Sequence, residues 1–421
     1  VALTSVADTI NISVAADSFL NLPSGNINVG AINLGDGIVA GEWGAIGSGA
    51  ANQSASITGS GTITNTAFEA YTWDGSTDTT WTATDTTSWS GGTFTDGNLV
   101  NFGDTGAGTV TVSGAVAPFV VNVDNTAGND YIFTGDAISA SSGFNKAGTG
   151  SLTLQNVVNS EIALDGGTLE IATATTFSEG VVMAAGSTLT VSGTYTDSAN
   201  SVVTALDNTG ATVNIETGGT IDLTDLDTSG GTFVPFGDGT VNLNGGSFVS
   251  DEGVDGSDAI SYRGTINFNS GSFSVPKAQG IASGDPTWNI NGSSSTIALG
   301  ILNLEAAARD LTINFNLDAT GVSTIAVANY IRLGLVDIVV DGTNYTGTTG
   351  TTINLITSNG SGAVDPLSVT VVAGSFNASG LNPLVALDGN NLVLTLSETP
   401  TSYTWDGEGT DADWSTAENW V

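Results

Sequence analysis

A short phrase of alternating apolar residues and asparagines recurs through the middle of the chain and restricts its fold more than any other feature. Its five copies are Val213-Asn214-Ile215, Val241-Asn242-Leu243-Asn244, Ile266-Asn267-Phe268-Asn269, Trp288-Asn289-Ile290-Asn291 and Ile313-Asn314-Phe315-Asn316. The first asparagines of successive copies are about 28, 25, 22 and 25 residues apart by subtraction, a spacing typical of solenoid repeats. A constant phrase with spacers of variable length predicts stacked strands joined by loops of unequal length.

The alternation within each copy has a period of two, so an extended strand places the apolar residues on one face and the asparagines on the other. Val241 and Leu243 then belong to a core that every further copy extends. Asparagines at repeated positions predict ladders in which each side-chain amide bonds to the one above. The pattern leaves open whether these ladders face inward or outward.

Glycines follow several copies and are typical of the corners of a coil, because glycine adopts positive φ without steric cost. Upstream, Leu152, Leu169 and Leu189 head similar strands about 17 and 20 residues apart by subtraction, which predicts narrower coils. A β-sandwich array or a propeller would need hairpins instead. The pairs Asn129-Asp130 and Asp238-Gly239 are the candidate hairpin turns, so some sandwich content stays open at the ends.

Composition supports an all-β class. Glycine accounts for 57 of the 421 residues and destabilises helix interiors by about 1 kcal/mol relative to alanine. A hydrophobic content of 40% is too high for a disordered, solvated coil. The chain therefore has enough apolar side chains for a large core, and the sequence predicts an all-β solenoid.

Two groups of motifs then resemble a known family. The first group is Tyr71-Thr72-Trp73-Asp74-Gly75, Trp81, Trp89 and Val100-Asn101-Phe102, and the second is Lys146-Ala147-Gly148-Thr149-Gly150-Ser151-Leu152-Thr153-Leu154 with Gly166-Gly167-Thr168-Leu169-Glu170-Ile171. In this order they resemble the autotransporter-associated β-strand repeat proteins of bacterial surfaces. The tryptophan box returns as Tyr403-Thr404-Trp405-Asp406-Gly407, Trp414 and Trp420. The resemblance covers residues 71 to about 172 well and 330–421 loosely, and it implies a right-handed parallel β-helix that is exported to the cell surface or released. Together with the strand patterns at both ends, the predicted fold is a β-helix with β-rich terminal caps.

The repeats and boxes divide the chain into four predicted parts. Residues 1–70 are an N-terminal β cap or docking segment, and 71–330 form a β-solenoid with the tryptophan box at its start. Residues 331–402 form closing coils or a terminal β-sheet. Residues 403–421 start a second tryptophan-box unit or form an inter-subunit segment.

The charge of the chain restricts its partners. A formal net charge of −37 with only five Lys and Arg repels nucleic-acid phosphates and anionic lipid. No apolar run approaches the roughly 20 residues of a membrane-spanning helix, so no membrane span is expected within this chain. Acidity, few lysines and richness in Gly, Thr and Asn favour an extracellular or cell-surface location.

Candidate chemistry is limited to carboxylates, because the chain has no His and no Cys and so excludes catalytic triads, zinc sites and thiol chemistry. The dense acidic groups include Asp222, Asp225, Asp227, Asp251 and Asp255. Three roles stay open for them: Ca²⁺ ligands, a general acid and base, or solvated loop charge. No other cofactor is expected. The tryptophans are either glycan-stacking surfaces or a buried cap of large rings.

These observations predict a non-enzymatic, extracellular structural protein. A solenoid leaves strand edges at its two ends, and such edges promote end-to-end association unless they are capped. The leading hypothesis is therefore a subunit of a self-associating bacterial surface filament or stalk, built by head-to-tail packing. The alternatives are a monomeric adhesin that binds surface glycans or cells, and a polysaccharide-acting β-helix enzyme.

Overall fold

The computed structural model describes residues 11–14, 18–29, 31–34, 38–39, 41–65, 69–75, 78–177, 180–197, 206–207, 210–224, 238–250, 264–279, 286–303, 311–334, 336–366, 368–398 and 404–405. Within these residues the regular structure is almost entirely β-strand, with one 3₁₀ turn at Asn377–Ser379. Long sheets of parallel strands dominate. The predicted all-β class is confirmed.

Nine short strands form the first part of the chain. They are β1 (Asn11–Ser13), β2 (Leu20–Asn21), β3 (Asn26–Val29), β4 (Ala31–Asn33), β5 (Ile38–Val39), β6 (Gly41–Ala45), β7 (Asn52–Ser54), β8 (Ile57–Thr58) and β9 (Thr62–Asn65). Parallel pairs (β1–β4, β2–β8 and β3–β9) occur beside antiparallel ones (β4–β5 and β6–β9). Their buried residues form a hydrophobic cluster separate from that of the later strands.

The next sixteen strands lie in the part of the chain for which the sequence predicts narrower coils. They are β10 (Ala70–Trp73), β11 (Thr80–Trp81), β12 (Trp89–Ser90), β13 (Leu99–Phe102), β14 (Gly108–Val112), β15 (Val120–Asp124), β16 (Tyr131–Gly135), β17 (Phe144–Ala147), β18 (Ser151–Leu154), β19 (Ile162–Leu164), β20 (Thr168–Ile171), β21 (Thr175–Phe177), β22 (Val181–Met183), β23 (Thr188–Val191), β24 (Thr194–Asp197) and β25 (Leu206–Asp207). An eight-stranded sheet takes β12, β10, β13, β15, β17, β19, β22 and β25 in that order.

The remaining strands continue the long, 22-stranded sheet that starts at β11 and β14. They are β26 (Thr212–Glu216), β27 (Thr220–Leu223), β28 (Thr240–Ser250), β29 (Thr265–Gln279), β30 (Thr287–Asn291), β31 (Ser295–Asn303), β32 (Leu311–Asn316), β33 (Ile325–Arg332), β34 (Val336–Asp341), β35 (Thr352–Ser358), β36 (Ser361–Ala363), β37 (Ser368–Val371), β38 (Leu381–Asp388) and β39 (Asn391–Glu398).

The register of the long sheet follows the sequence repeats. The strands of the asparagine phrase (β26, β28, β29, β30 and β32) are direct parallel neighbours, and their first asparagines are register partners. Upstream, Leu152 pairs with Leu169 and Leu169 with Leu189. The predicted parallel stacking of the repeat strands is therefore confirmed residue by residue, for the asparagine phrase and for the upstream leucine strands.

Two rows of apolar side chains run through the long sheet and form its core. One row is Tyr131, Leu152, Leu169, Leu189, Val213, Val241, Ile266, Trp288, Ile313 and Ile338; the other is Phe133, Leu154, Ile171, Val191, Ile215, Leu243, Phe268, Ile290, Phe315 and Val340. All of these side chains are buried. Burial of each large aliphatic side chain stabilises the fold by roughly 1.5–3 kcal/mol, so each coil that is added extends the same core.

Glycine corners bend the long strands between their two halves. In β29 the alternation of buried and outward residues shifts near Gly271, which has φ 100°. A Cβ atom at this position would lie 2.2 Å from the carbonyl oxygen of Gly246 in the preceding coil. Only glycine fits such an approach, because both the backbone conformation and the contact exclude a side chain.

The predicted hairpin turn at Asn129-Asp130 is wrong. These residues connect β15 with β16, which belong to different sheets and pair in parallel with strands of neighbouring coils. Asp238-Gly239 precedes β28, whose ladder partners are also parallel. A hairpin does occur near the end of the described chain, where Asp388 and Asn391 face each other across the β38–β39 turn.

Candidate interaction surfaces

Only Asp222 among the five predicted Ca²⁺ ligands belongs to the described residues. It lies in β27, and its Oδ1 accepts hydrogen bonds from the backbone N–H of Thr224 at 3.1 Å and the Thr224 hydroxyl at 2.7 Å, which is a local turn. Asp225, Asp227, Asp251 and Asp255 lie outside the described residues. The part of the chain that is described contains no group of three or more His, Cys, Asp or Glu side chains able to hold a metal. The Ca²⁺ site stays a prediction.

Several other carboxylates bind the backbone of a neighbouring coil. Asp104 accepts the N–H of Thr126 at 2.7 Å, and Asp130 accepts the N–H of Ser151 at 2.7 Å. The same arrangement recurs at Asp96, Asp136, Asp238 and Asp365. For Asp104 the backbone and hydroxyl hydrogen bonds from Thr126 lower the pKa of the carboxyl. A large share of the described acids therefore joins one coil to the next.

Asp318 is the most heavily bonded of these acids. One oxygen accepts from the backbone and hydroxyl of Thr320 and from the N–H of Gly321, and the other accepts from the backbone and hydroxyl of Ser293, at 2.7–2.9 Å. Burial of the carboxyl raises its pKa, but the hydrogen bonds from Thr320 and Ser293 outweigh burial and hold the pKa well below its usual range. The ionised side chain thus stabilises two successive corners.

The asparagine phrase forms two side-chain ladders that face outward. The first ladder begins at Asn214. The Nδ2 atoms of Asn242, Asn267, Asn289 and Asn314 each donate to the Oδ1 atom of the preceding asparagine of the ladder, at 2.7–2.8 Å. The second ladder lies two residues further along each strand: Asn244 donates to the Glu216 carboxylate, and Asn269, Asn291 and Asn316 each donate to the Oδ1 atom of the preceding asparagine, at 2.7–2.9 Å. The predicted ladders exist, and their orientation, which the sequence left open, is outward. A shorter ladder joins Asn101, Asn122 and Asn145.

Lys146 occupies an inward position of the eight-stranded sheet. Its ladder neighbours are Val123 and Leu164, and its side chain is fully buried. The ammonium donates to the carbonyl oxygens of Ala147 and Gly166, the latter at 3.4 Å. Burial lowers the pKa of Lys146 to about 8, although Asp124 and Asp130 act in the opposite direction.

The glycines around Lys146 explain its motif. A Cβ on Gly148 would lie 2.3 Å from the carbonyl oxygen of Asn125, and one on Gly167 would lie 2.2 Å from that of Gly150. The Gly167 position is also 3.1 Å from the lysine Nζ. Close backbone contact around the buried ammonium therefore requires these glycines, and the inward position of the lysine was not predicted from the sequence.

The first tryptophan box closes the N-terminal end of the main core. Trp73, Trp81 and Trp89 are at most 5% exposed. Their rings lie 5.1–5.7 Å from one another or from Phe94 and Phe102, distances typical of favourable aromatic pairs. The rings form a buried cap, as the packing interpretation predicts, and offer no exposed face for glycan stacking.

The opposite end of the core is covered only in part. The antiparallel β38–β39 hairpin pairs with β35 and buries Leu392, Leu394 and Leu396 against the core, whereas the row beside it ends in an exposed side chain. The inward row that contains Ile338, which is fully buried, ends at its register partner Val369, which is 40% exposed. Within the described residues no further parallel strand follows β36 or β37 on their ladders. Val372, Leu384 and Leu387 are also exposed nearby in sequence, on β38 and after β37. We call β36, β37 and β38 with these four side chains the C-terminal end.

Comparisons with known proteins identify no relative. No family model, no curated protein and no solved structure matches this chain. Among the described residues, none belongs to a helix long and apolar enough to cross a membrane.

Proposed function

We propose that this chain is a structural subunit of an extracellular bacterial filament, in which right-handed parallel β-helices stack head to tail. Parallel strands joined by crossover connections are right-handed in nearly all known cases, which supports the hand. The observation that carries the proposal is the exposed Val369, because a core row that is buried along ten coils ends uncovered. A further coil of the same kind is the surface that would bury it.

The strand edges support the same conclusion. Among the described strands, no parallel strand follows β36 or β37 on the side where each earlier strand of these ladders has its next partner. Unpaired parallel edges are templates for strand addition. Exposed aliphatic side chains beside such an edge add hydrophobic association to backbone pairing. A subunit that docks here extends both the ladders and the core.

The N-terminal part of the chain differs from the C-terminal end. The proposed contact therefore joins the C-terminal end of one subunit to the N-terminal part of the next. The main core begins under the tryptophan cap, and the nine strands of the N-terminal part have a cluster of their own. We place the docking surface for the C-terminal end on residues 1–70, which precede the cap. A heterologous contact of this kind generates an open filament.

The proposed role is non-catalytic and requires no cofactor. The described acids with clear partners, such as Asp104, Asp130 and Asp318, are occupied in joining coils. Immunogold labelling of intact cells and of cell sections tests the extracellular part of the proposal. Labelling that occurs in sections only, and is confined to the cell interior, contradicts it. A polysaccharide-depolymerising activity lost in a folded Asp225→Ala or Asp255→Ala variant would instead favour the enzyme alternative.

The filament is tested by electron microscopy and sedimentation velocity of the purified chain across a range of concentrations. We expect polymers of one subunit's width that lengthen with concentration. Val369→Lys should abolish them, because a lysine at the open core row is buried on docking. Val182→Lys is the matched control, since Val182 is 44% exposed on a lateral strand. If only single, unpolymerised subunits are seen at every protein concentration and every Ca²⁺ concentration, the filament proposal is wrong and a monomeric adhesin is favoured.

A further inference from the structure

One lateral surface of the long sheet is polar and almost uncharged. It consists of the outward side chains of five neighbouring strands, which we call the Thr–Asn face: Thr212, Thr240, Thr265, Thr287, Thr312, Asn214, Asn242, Asn267, Asn289, Asn314, Glu216, Asn244, Asn269, Asn291 and Asn316. Glu216 is the single ionisable group among these fifteen positions. The whole chain carries 42 acids, so a surface of this composition stands out from the rest.

The side chains of the Thr–Asn face are fixed before any partner arrives. An interior amide such as Asn267 donates one N–H to Asn242 and accepts one bond from Asn289, both at 2.7 Å. An asparagine amide has a second N–H and a second lone pair, which the ladder does not use. Each ladder therefore presents one unused N–H donor and one unused acceptor lone pair per asparagine. Because the ladder already fixes the side-chain rotamers, binding costs little further conformational entropy.

We propose that the Thr–Asn face is a lateral contact with a second copy of this chain, so that filaments pair side by side. The face has the repeat of stacked strands, about 4.7–4.9 Å, and a second copy has the same repeat by identity. Donors and acceptors alternate on both surfaces, so the face is complementary to itself. Paired sheets that carry asparagine ladders associate in this manner in steric zippers.

Charge favours the same occupant. Two copies, each with a net charge of −37, repel one another over most relative orientations. Repulsion is smallest where the facing surfaces have few ionised groups. The Thr–Asn face has one carboxylate, Glu216, at one edge, and Asp337 and Asp341 on the adjoining strand β34 bound its other edge. The Glu216 carboxylate already accepts a hydrogen bond from Asn244 at 2.9 Å.

The area of the Thr–Asn face determines whether single subunits or only filaments can pair. Five strands about 4.8 Å apart and four residue steps of about 3.3 Å span roughly 19 by 13 Å. Thr188 and Thr168 extend the threonine row by two coils. The area is still well below the roughly 800 Å² per partner of a stable interface. Single subunits should therefore stay apart, whereas successive subunits of a filament add their faces together. The inference thus rests on the proposed filament.

The test is electron microscopy of filaments of the wild type and of Thr265→Glu/Thr287→Glu, which places like charges on adjacent coils of the face. The matched control is Ser274→Glu/Ala298→Glu, whose positions are register partners on β29 and β31 beyond the glycine corner. We expect paired filaments for the wild type and control, and single filaments of unchanged length for the face variant. Circular dichroism melting verifies that each variant is folded, and Thr287→Glu alone serves if the double variant is not.

The outcomes separate the two proposals. A wild type that forms no filaments overturns both of them. Wild-type filaments that never pair, or a folded face variant that pairs as the wild type does, overturn the lateral contact alone. Retention of wild-type filaments on cellulose powder that the face variant loses, without lateral pairing, assigns the face to a neutral polysaccharide and overturns the proposal as well.

Discussion

Replacing Lys146 by methionine tests whether a charged side chain is buried in the core. Burial lowers the pKa of Lys146 to about 8 from 10.5. Between these values the unfolded chain holds a proton that the folded chain has lost, so the free energy of unfolding rises with pH. From about pH 7.5 to about pH 9.5 this linkage amounts to about 2 kcal/mol of added stability. The apolar methionine side chain in the Lys146→Met variant does not titrate, and the pH profile of that variant should lack this rise.

The stability at neutral pH should change little in this variant. Methionine removes the cost of burying an ammonium, but the carbonyl oxygens of Ala147 and Gly166 lose their donor, at about 1–3 kcal/mol. Lys146→Ala should instead cost about 2–5 kcal/mol through the cavity it leaves. The loss comes from the missing side-chain stem, which packs between Val123 and Leu164.

The assay is urea unfolding followed by tryptophan fluorescence, because Trp73, Trp81 and Trp89 are buried near this sheet. Measurements stay below about pH 10, since burial raises the pKa of Tyr131 and the unfolded tyrosine ionises from there upward, which lowers stability. A wild-type profile that is flat, or a methionine variant that keeps the full rise, would refute the buried position of the lysine.

Three further predictions concern the acids, the ladders and the tryptophan boxes. Asp318→Asn should destabilise the chain at neutral pH, with a gap to wild type that closes as pH falls below about 4, because the lowered pKa confers stability that acid removes; urea titration at several pH values measures it. Asn267→Ala should cost about 2 kcal/mol and Asn314→Ala, at the ladder end, about 1 kcal/mol, since they lose two and one ladder bonds; hydrogen exchange of the flanking coils should rise in proportion, and equal losses would contradict the ladder. Trp73→Ala should cost about 3–5 kcal/mol and its box counterpart Trp405→Ala, 38% exposed, less than 1 kcal/mol by roughly the same scale; thermal melting distinguishes them.

The sequence predicted the stacked coils because two independent signals coincide in them. The period-two alternation assigns Val241 and Leu243 to the core, and the recurring asparagines align one copy with the next. The asparagine of one copy then donates a hydrogen bond to the asparagine of the preceding copy, as Asn242 does to Asn214. The asparagines that reveal the repeat in the sequence therefore also fix the register of the strands. Variable spacers do not disturb this, because loops of different length join strands of one ladder.

The sites were less predictable, because their partners lie one coil apart. Asp318 and Ser293 are 25 residues apart, and the spacing of acids in the sequence shows only clusters such as Asp222, Asp225 and Asp227. Lys146 contradicts the rule that charged residues face solvent, and its only signal was the set of surrounding glycines. The hairpin prediction at Asn129-Asp130 was wrong because turn-forming residues also suit the corners of a coil.

X-ray diffraction from aligned filaments tests the central claim most directly. If the subunits stack end to end through the C-terminal end, every ladder runs along the filament, and the strand spacing of about 4.7–4.9 Å must appear as a reflection on the meridian. Val182→Lys filaments should give the same oriented pattern, whereas Val369→Lys should form no filaments to align. A strand-spacing reflection on the equator, with strands parallel to the filament axis, would contradict head-to-tail stacking.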